Sequence, residues 1–89
     1  MANIRIPTPL RAYAANQATV TVNGETVGAA LNDLVTQHPE LRTHLFNDNS
    51  LRNFVNVFLG EEDIRFLDGL DTPIAADASL RIIPSIAGG

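Results

Sequence analysis

Alternation of apolar and polar residues marks two short strands at the start of the chain. Residues 3–6 and 18–22 both alternate in this way, as half-buried strands do, and Pro7 and Pro9 end the first run. About a dozen residues connect the two runs, which is too many for a tight turn. The pattern therefore predicts an opening hairpin whose long, proline-rich connector contains Tyr13.

After Thr26 the spacing of apolar residues changes to that of a helix. The residues that share one helical face are Val27, Ala30, Leu31, Leu34 and Val35. Thr26 is a suitable N-cap, and Pro39 ends the pattern after His38. Gly28 in the first turn costs about 1 kcal/mol relative to alanine. We predict that this segment is the main helix.

The rest of the chain is divided into shorter elements. In chain order, the sequence predicts a short helix over 40–46, a polar loop over 47–50, strands over 54–59, 64–67 and 80–86, and a turn over 60–63. The order of strands and helix indicates the α+β class, a mixed sheet of four to five strands with one main helix packed on one face. We expect a single domain over 1–89 with a flexible C-terminal tail, 87–89.

Composition narrows the possible functions. The 89 residues include no cysteine, which excludes a disulfide framework, a thiolate nucleophile and a cysteine metal site. All positive side chains are arginine, and the net charge is −4. Nucleic acid and anionic membranes are therefore not expected as partners, whereas a partner with a basic surface is expected. No signal pattern or membrane-length apolar run is visible, and we expect a cytoplasmic protein.

The usual catalytic and metal-binding patterns are not found in the sequence. His38 and His44 are separated by Pro39, are poorly placed as joint ligands, and are expected to be exposed at helix ends. The acidic run 61–63 lacks the ligand spacing of a calcium loop, and Gly24 and Gly28 do not form a phosphate-binding loop. We therefore predict no metal site, no permanently bound cofactor and no catalytic residue, and a stand-alone enzyme is the least favoured class.

The last strand and its predicted neighbour carry apolar residues on both faces. If the helix covers the face with Val55 and Ile82, then Phe58 and Ile83 lie on the open face. An exposed apolar patch of this kind is typical of a docking surface. The alternative is that a loop containing Tyr13 or Phe46 covers it.

The end of the chain has its own chemical logic. Gly88 and Gly89 lack β-carbons, so an extended tail could enter a narrow channel with its terminal carbonyl unhindered. A partner could activate the Gly89 carboxylate by adenylation. Because the chain has no thiol, any sulfur that it carries would most simply replace an oxygen of that carboxylate, giving a thiocarboxylate.

These features together resemble the MoaD/ThiS family of ubiquitin-like sulfur carriers, which have the β-grasp fold. The stretches that carry the resemblance are FVNV at 54–57, EDIRFLDGLDTP at 62–73 and IIPSIAGG at 82–89. Within the family, the length, Arg65-Phe66 and the Ala87-Gly88-Gly89 ending look most like the CysO-type carriers of cysteine synthesis.

The resemblance implies a set of partners and site residues. A ubiquitin-activating-type adenylyltransferase would consume ATP and load sulfur on Gly89, with Ile86, Ala87 and Gly88 threading into partner sites. A PLP-dependent cysteine synthase would then accept the sulfur, and a metalloprotease would release the cysteine formed on the Gly89 carbonyl. The partner-docking face expected for this scheme consists of Phe58, Arg65 and Ile83.

Two further functions stay open at this stage. The chain could be the small, MoaD-type subunit of molybdopterin synthase, donating sulfur to a pterin from a tail inserted into the large subunit. It could instead be a non-covalent ubiquitin-like adaptor that uses only its open face. A thiazole-synthesis carrier is less favoured, because such carriers are usually shorter and lack an insertion like residues 41–52.

Overall fold

The structure, a computed structural model, describes residues 1–47, 50–52 and 55–84. The strands are β1 (Ala2–Arg5), β2 (Thr19–Val22), β3 (Phe46–Asn47), β4 (Ser50–Leu51), β5 (Val55–Leu59), β6 (Glu62–Asp63) and β7 (Ser79–Pro84), and the α-helices are α1 (Val27–Gln37) and α2 (Arg42–Leu45). The described residues also include four short 3-10 helices: Thr8–Ala14, Pro39–Leu41, Ile64–Phe66 and Gly69–Asp71.

Five strands of the described chain form a mixed sheet in the order β2-β1-β7-β5-β6. Strands β1 and β7 run parallel, and the other neighbours are antiparallel. The predicted opening hairpin is confirmed, with the 3-10 helix Thr8–Ala14 in its connector. Together with α1 on one face, this arrangement confirms the predicted α+β class and the β-grasp, ubiquitin-like fold.

Helix α1 forms where the apolar period indicated it. The Thr26 hydroxyl accepts a hydrogen bond from the Ala29 backbone N–H at 3.1 Å, which confirms the predicted N-cap. All five residues of the predicted apolar face are buried against the sheet. Full burial of each valine or leucine side chain contributes about 1.5–3 kcal/mol, so this face accounts for much of the stability of the domain.

Two glycines of the predicted sequence pattern have packing roles. A β-carbon on Gly24 would lie 2.5 Å from the backbone nitrogen of Ala30, so only glycine allows the chain to pass this close to the start of α1. A β-carbon on Gly28 would lie 3.0 Å from the carbonyl oxygen of Leu70. The Gly69–Asp71 turn packs closely against the first turn of α1 and leaves little room for a side chain at Gly28. This close packing explains why glycine occurs there despite its low helix propensity.

The prediction of a strand over 64–67 is wrong. Residues Ile64–Phe66 form a 3-10 helix, because the Asp63 carboxylate accepts the Arg65 backbone N–H at 2.9 Å and caps a turn there. The turn predicted over 60–63 is also shorter than expected. It is confined to Gly60 and Glu61, with Gly60 at φ +62°, and Glu62–Asp63 already pair with β5.

The short helix predicted over 40–46 consists of two pieces. A 3-10 turn, Pro39–Leu41, leads into α2, and Phe46 leaves the helix to begin β3. Strands β3 and β4 pair with each other at the two ends of the predicted polar loop 47–50, of which residues 48–49 lie outside the described part. Leu41 and Leu45 are fully buried, which anchors this segment to the main core.

Candidate functional site

The strand that leads to the end of the chain is the central strand of the sheet. β7 lies between β1 and β5, pairing parallel to the first and antiparallel to the second. Its last residue, Pro84, is opposite Val55, and the final strand predicted to reach Ile86 is described only as far as Pro84. The predicted tail residues Ile86, Ala87, Gly88 and Gly89 lie outside the described residues, and their roles stay predictions.

The face of β5 and β7 opposite the helix carries Phe58 and Ile83. Register pairs Phe58 with Arg81, and Ile83 follows Arg81 two positions later on the same side of β7. The Arg81 guanidinium lies 5.6 Å from the centre of the Phe58 ring, a cation–π distance. Ile83 is 40% exposed and Phe58 is half-buried. The structure thus brings these two predicted residues together on one open surface.

The loops that could have covered this face pack elsewhere. Tyr13 and Phe46 contact the buried core cluster, and the Tyr13 ring stacks on His44 with 4.1 Å between ring centroids. Ile83 stays 40% exposed. The alternative in which Tyr13 or Phe46 covers the open face therefore does not describe this molecule.

Arg65, the third predicted docking residue, occupies a different place. Its guanidinium donates a hydrogen bond to the Val55 carbonyl at 3.2 Å, beside the edge of β5. It lines a cleft of about 400 Å³ together with core-side residues that include Val57 and Leu70. Arg65 is therefore separated from the open face of Phe58 and Ile83 by the sheet edge.

A second cleft, of about 330 Å³, adjoins the end of β7. Pro84 lines it with His44 and Arg52, and the Arg52 guanidinium donates to the Thr43 carbonyl at 2.8 Å. His44 and His38 are both half-buried, so the expectation that they are exposed is wrong, and for His44 the reason is its stacking on Tyr13.

The acidic run 61–63 has a structural role at its last residue. Asp63 accepts the Arg65 N–H and so holds the turn after β6.

Within residues 1–47, 50–52 and 55–84, no group of three or more histidine, aspartate or glutamate side chains is arranged to hold a metal ion. In the same part of the chain, no helix has the length and hydropathy needed to cross a membrane.

Sequence reasoning missed two features of the exposed surface. Phe66 is 83% exposed at the end of its 3-10 helix, a position that its predicted strand would not have given it. Arg5 and Arg81 are register partners in the parallel β1–β7 pair. Alternation placed each arginine on an outward face, but only the pairing of the first and last strands makes them neighbours.

Comparison with known proteins adds four findings. The ThiS family profile matches residues 4–89. The sulfur carrier protein CysO of Mycobacterium tuberculosis is 38% identical over 89 residues, covering 97% of this chain and 96% of that protein. Its crystal structure superposes with a TM-score of 0.88 at 35% identity, covering 97% of this chain and all of that one. CysO in the Amycolatopsis orientalis BexX/CysO complex superposes at 0.92 with 31% identity, covering both chains fully.

Proposed function

The chain belongs to the ThiS family, and from this premise we propose that it is a ubiquitin-like sulfur carrier bearing a thiocarboxylate on Gly89. The relative from M. tuberculosis, which is similar over nearly the whole chain, is named a sulfur carrier protein. In this proposal the chain is a co-substrate on which partner enzymes act, and the reactive atoms that it contributes are those of its terminal carboxylate.

The observation that carries the proposal is the position of β7. A central strand is hydrogen-bonded to a neighbour on each side, so the point from which the last residues extend is held firmly by the fold. Gly89 follows Pro84 by only a few residues. When a partner binds the open face, the Gly89 carboxylate can therefore reach only a limited distance from that face.

The chemistry proceeds in two balanced steps. A Gly89 carboxylate oxygen attacks the α-phosphorus of ATP on the partner enzyme, and pyrophosphate leaves. Sulfide then attacks the acyl carbon, the carbon–oxygen bond to AMP breaks, and Gly89 keeps one oxygen and one sulfur. The absence of cysteine supports this route, since no side chain of the protein can carry the sulfur as a thiol or persulfide.

We assign the sulfur to cysteine biosynthesis, with a PLP-dependent cysteine synthase as acceptor and a metalloprotease that removes the product from Gly89. The similarity to proteins named CysO supports this branch. Activation falls to a ubiquitin-activating-type adenylyltransferase using ATP, in the cytoplasm. That a CysO of this fold has been crystallised in a complex with BexX supports docking to a separate protein.

An acceptor assay separates this branch from molybdopterin synthesis. Thiocarboxylated protein is incubated either with the cysteine synthase and an O-activated serine, or with the molybdopterin synthase large subunit and its pterin precursor. We expect the first mixture to yield protein that carries an added cysteine, with unloaded protein as the control. Sulfur transfer to the pterin alone would assign the chain to the molybdopterin branch.

Replacement of Ile83 by aspartate is expected to weaken binding of the adenylyltransferase about tenfold or more, since a charge would replace an apolar contact. Because Ile83 is 40% exposed, we expect a loss of unfolding free energy below about 1 kcal/mol. Half-buried Phe58 is less suitable, because its substitution would also remove the contact with Arg81.

Asn32→Asp is the matched control, because it adds the same charge at an exposed position on α1, away from the sheet face. Titration calorimetry measures the binding and urea denaturation the stability. Equal affinities for the Ile83→Asp and Asn32→Asp proteins would remove Ile83 from the docking face.

A further inference from the structure

Two arginines lie side by side on the open face of the sheet. Arg5 on β1 and Arg81 on β7 are register partners, directly after Ile4 and Leu80, which are buried on the helix side. Neighbouring strands are about 4.8 Å apart, so the two outward side chains start from adjacent positions. Like charges placed directly opposite each other destabilise a sheet unless an anion lies between them.

No acidic side chain in the described part of the chain neutralises this pair. Among the described residues, neither Arg5 nor Arg81 forms an ion pair, and Arg5 has no hydrogen-bond partner for its side chain. The Asp63 carboxylate, on the same face, is separated from Arg81 by the Phe58 ring and accepts the Arg65 N–H. The pair is therefore a local positive site on a chain whose net charge is −4.

The surroundings of the pair suit a carboxylate. The two arginines line a concavity of about 330 Å³ with the polar side chains of Asn3, Thr19 and Ser79. The Arg81 guanidinium is held by its contact with Phe58 and by a 3.3 Å hydrogen bond to the Gly60 carbonyl. A guanidinium that is already oriented loses less entropy when it binds, and its planar donors match both oxygens of a carboxylate.

We propose that Arg5 and Arg81 form a carboxylate-binding site that receives an aspartate or glutamate side chain of the adenylating partner. This inference rests on the proposed function, and it reverses the expectation from net charge that the partner surface is basic. Ile83 follows Arg81 on the same face of β7, so the partner surface carries its acidic group beside an apolar contact. Gly89 follows Arg81 by eight positions along the chain, a length of at most about 28 Å. The partner's acidic side chain therefore lies within roughly this distance of its adenylating site.

Arg5→Gln and Arg81→Gln test the site in the pyrophosphate exchange that the adenylyltransferase catalyses. We expect each change to raise the KM for this protein about three- to tenfold with kcat unchanged, since the residues bind the partner and do not touch the reacting atoms. We also expect the double variant to lose most of the rise in KM that added salt causes in the wild type. Arg42→Gln is the matched control, because it removes the same charge at an exposed position on α2.

Thermal unfolding accompanies the kinetics, and removal of the repulsion is expected to leave the Arg5→Gln protein at least as stable as the wild type. Arg5→Gln is the cleaner variant, because the Arg5 side chain makes no hydrogen bond with the rest of the described chain. If the wild type is adenylated and both glutamine variants match Arg42→Gln, the carboxylate site is wrong and the carrier function stands. Absence of exchange with wild-type protein and an active enzyme would overturn the carrier function and this inference with it.

Discussion

A protein lacking Gly89, or carrying one extra residue after it, is expected to lose adenylation by at least about a hundredfold, because the reacting carboxylate is displaced from the α-phosphate by a full residue. The unfolding free energy should stay unchanged, since glycine has no side chain that could be buried in the core. Pyrophosphate exchange measures the first effect and urea denaturation the second. A loss of adenylation without a loss of stability would indicate that the terminal carboxylate itself is the reacting group.

The matched control adds the same residue before Met1, which is 67% exposed at the other end of the chain. This protein should exchange pyrophosphate at the wild-type rate. If extension after Gly89 were tolerated equally, the terminal carboxylate would not be the reacting group. The non-covalent adaptor, which needs only the open face, would then be the better account.

Replacement of Leu45 by alanine is expected to lower the free energy of unfolding by about 2–5 kcal/mol, the range for a leucine truncated inside a core. Leu45 is fully buried on α2, in the same cluster as Leu41 and α1. Small domains are stable by about 5–15 kcal/mol in total, so this one change would remove a large fraction. The insertion 41–52 is thus expected to be a structural part of the domain.

Arg42→Ala, at an exposed position on the same short helix, is the control for helix propensity. We expect it to change stability by less than about 0.5 kcal/mol. Urea denaturation at equilibrium compares the two proteins, with the m-value showing whether both unfold in one transition. A cost for Leu45→Ala as small as that of the control would mean that the insertion packs only loosely on the core.

The parts of the fold that local sequence determines were predictable. The apolar period and Thr26 give α1 its face and its first residue, and alternation gives β1 and β2. The segment after β6 was mispredicted because its apolar residues alternate, although a single carboxylate, Asp63, caps a 3-10 turn there. A local hydrogen bond thus outweighed the hydropathy pattern.

Residues of the candidate site could be placed from sequence only where the alternation within a single strand determines which face a side chain lies on. Phe58 and Ile83 could be placed on one face from alternation within β5 and β7. Arg65 was misplaced relative to them because its position depends on the 3-10 turn. The Arg5–Arg81 pair depends on the parallel contact between the first and last strands, which no local pattern contains. Gly89 lies outside the described residues, and its role stays a prediction from residue type and position alone.

Intact mass spectrometry of the untagged protein tests the central claim most directly. The protein is incubated with the adenylyltransferase, ATP and sulfide, and fragmentation then locates any added mass. We expect the mass to rise by the difference between one sulfur and one oxygen, localised to Gly89. An unchanged mass in a reaction where the enzyme adenylates its known carrier would contradict the assignment of this protein as a thiocarboxylate sulfur carrier.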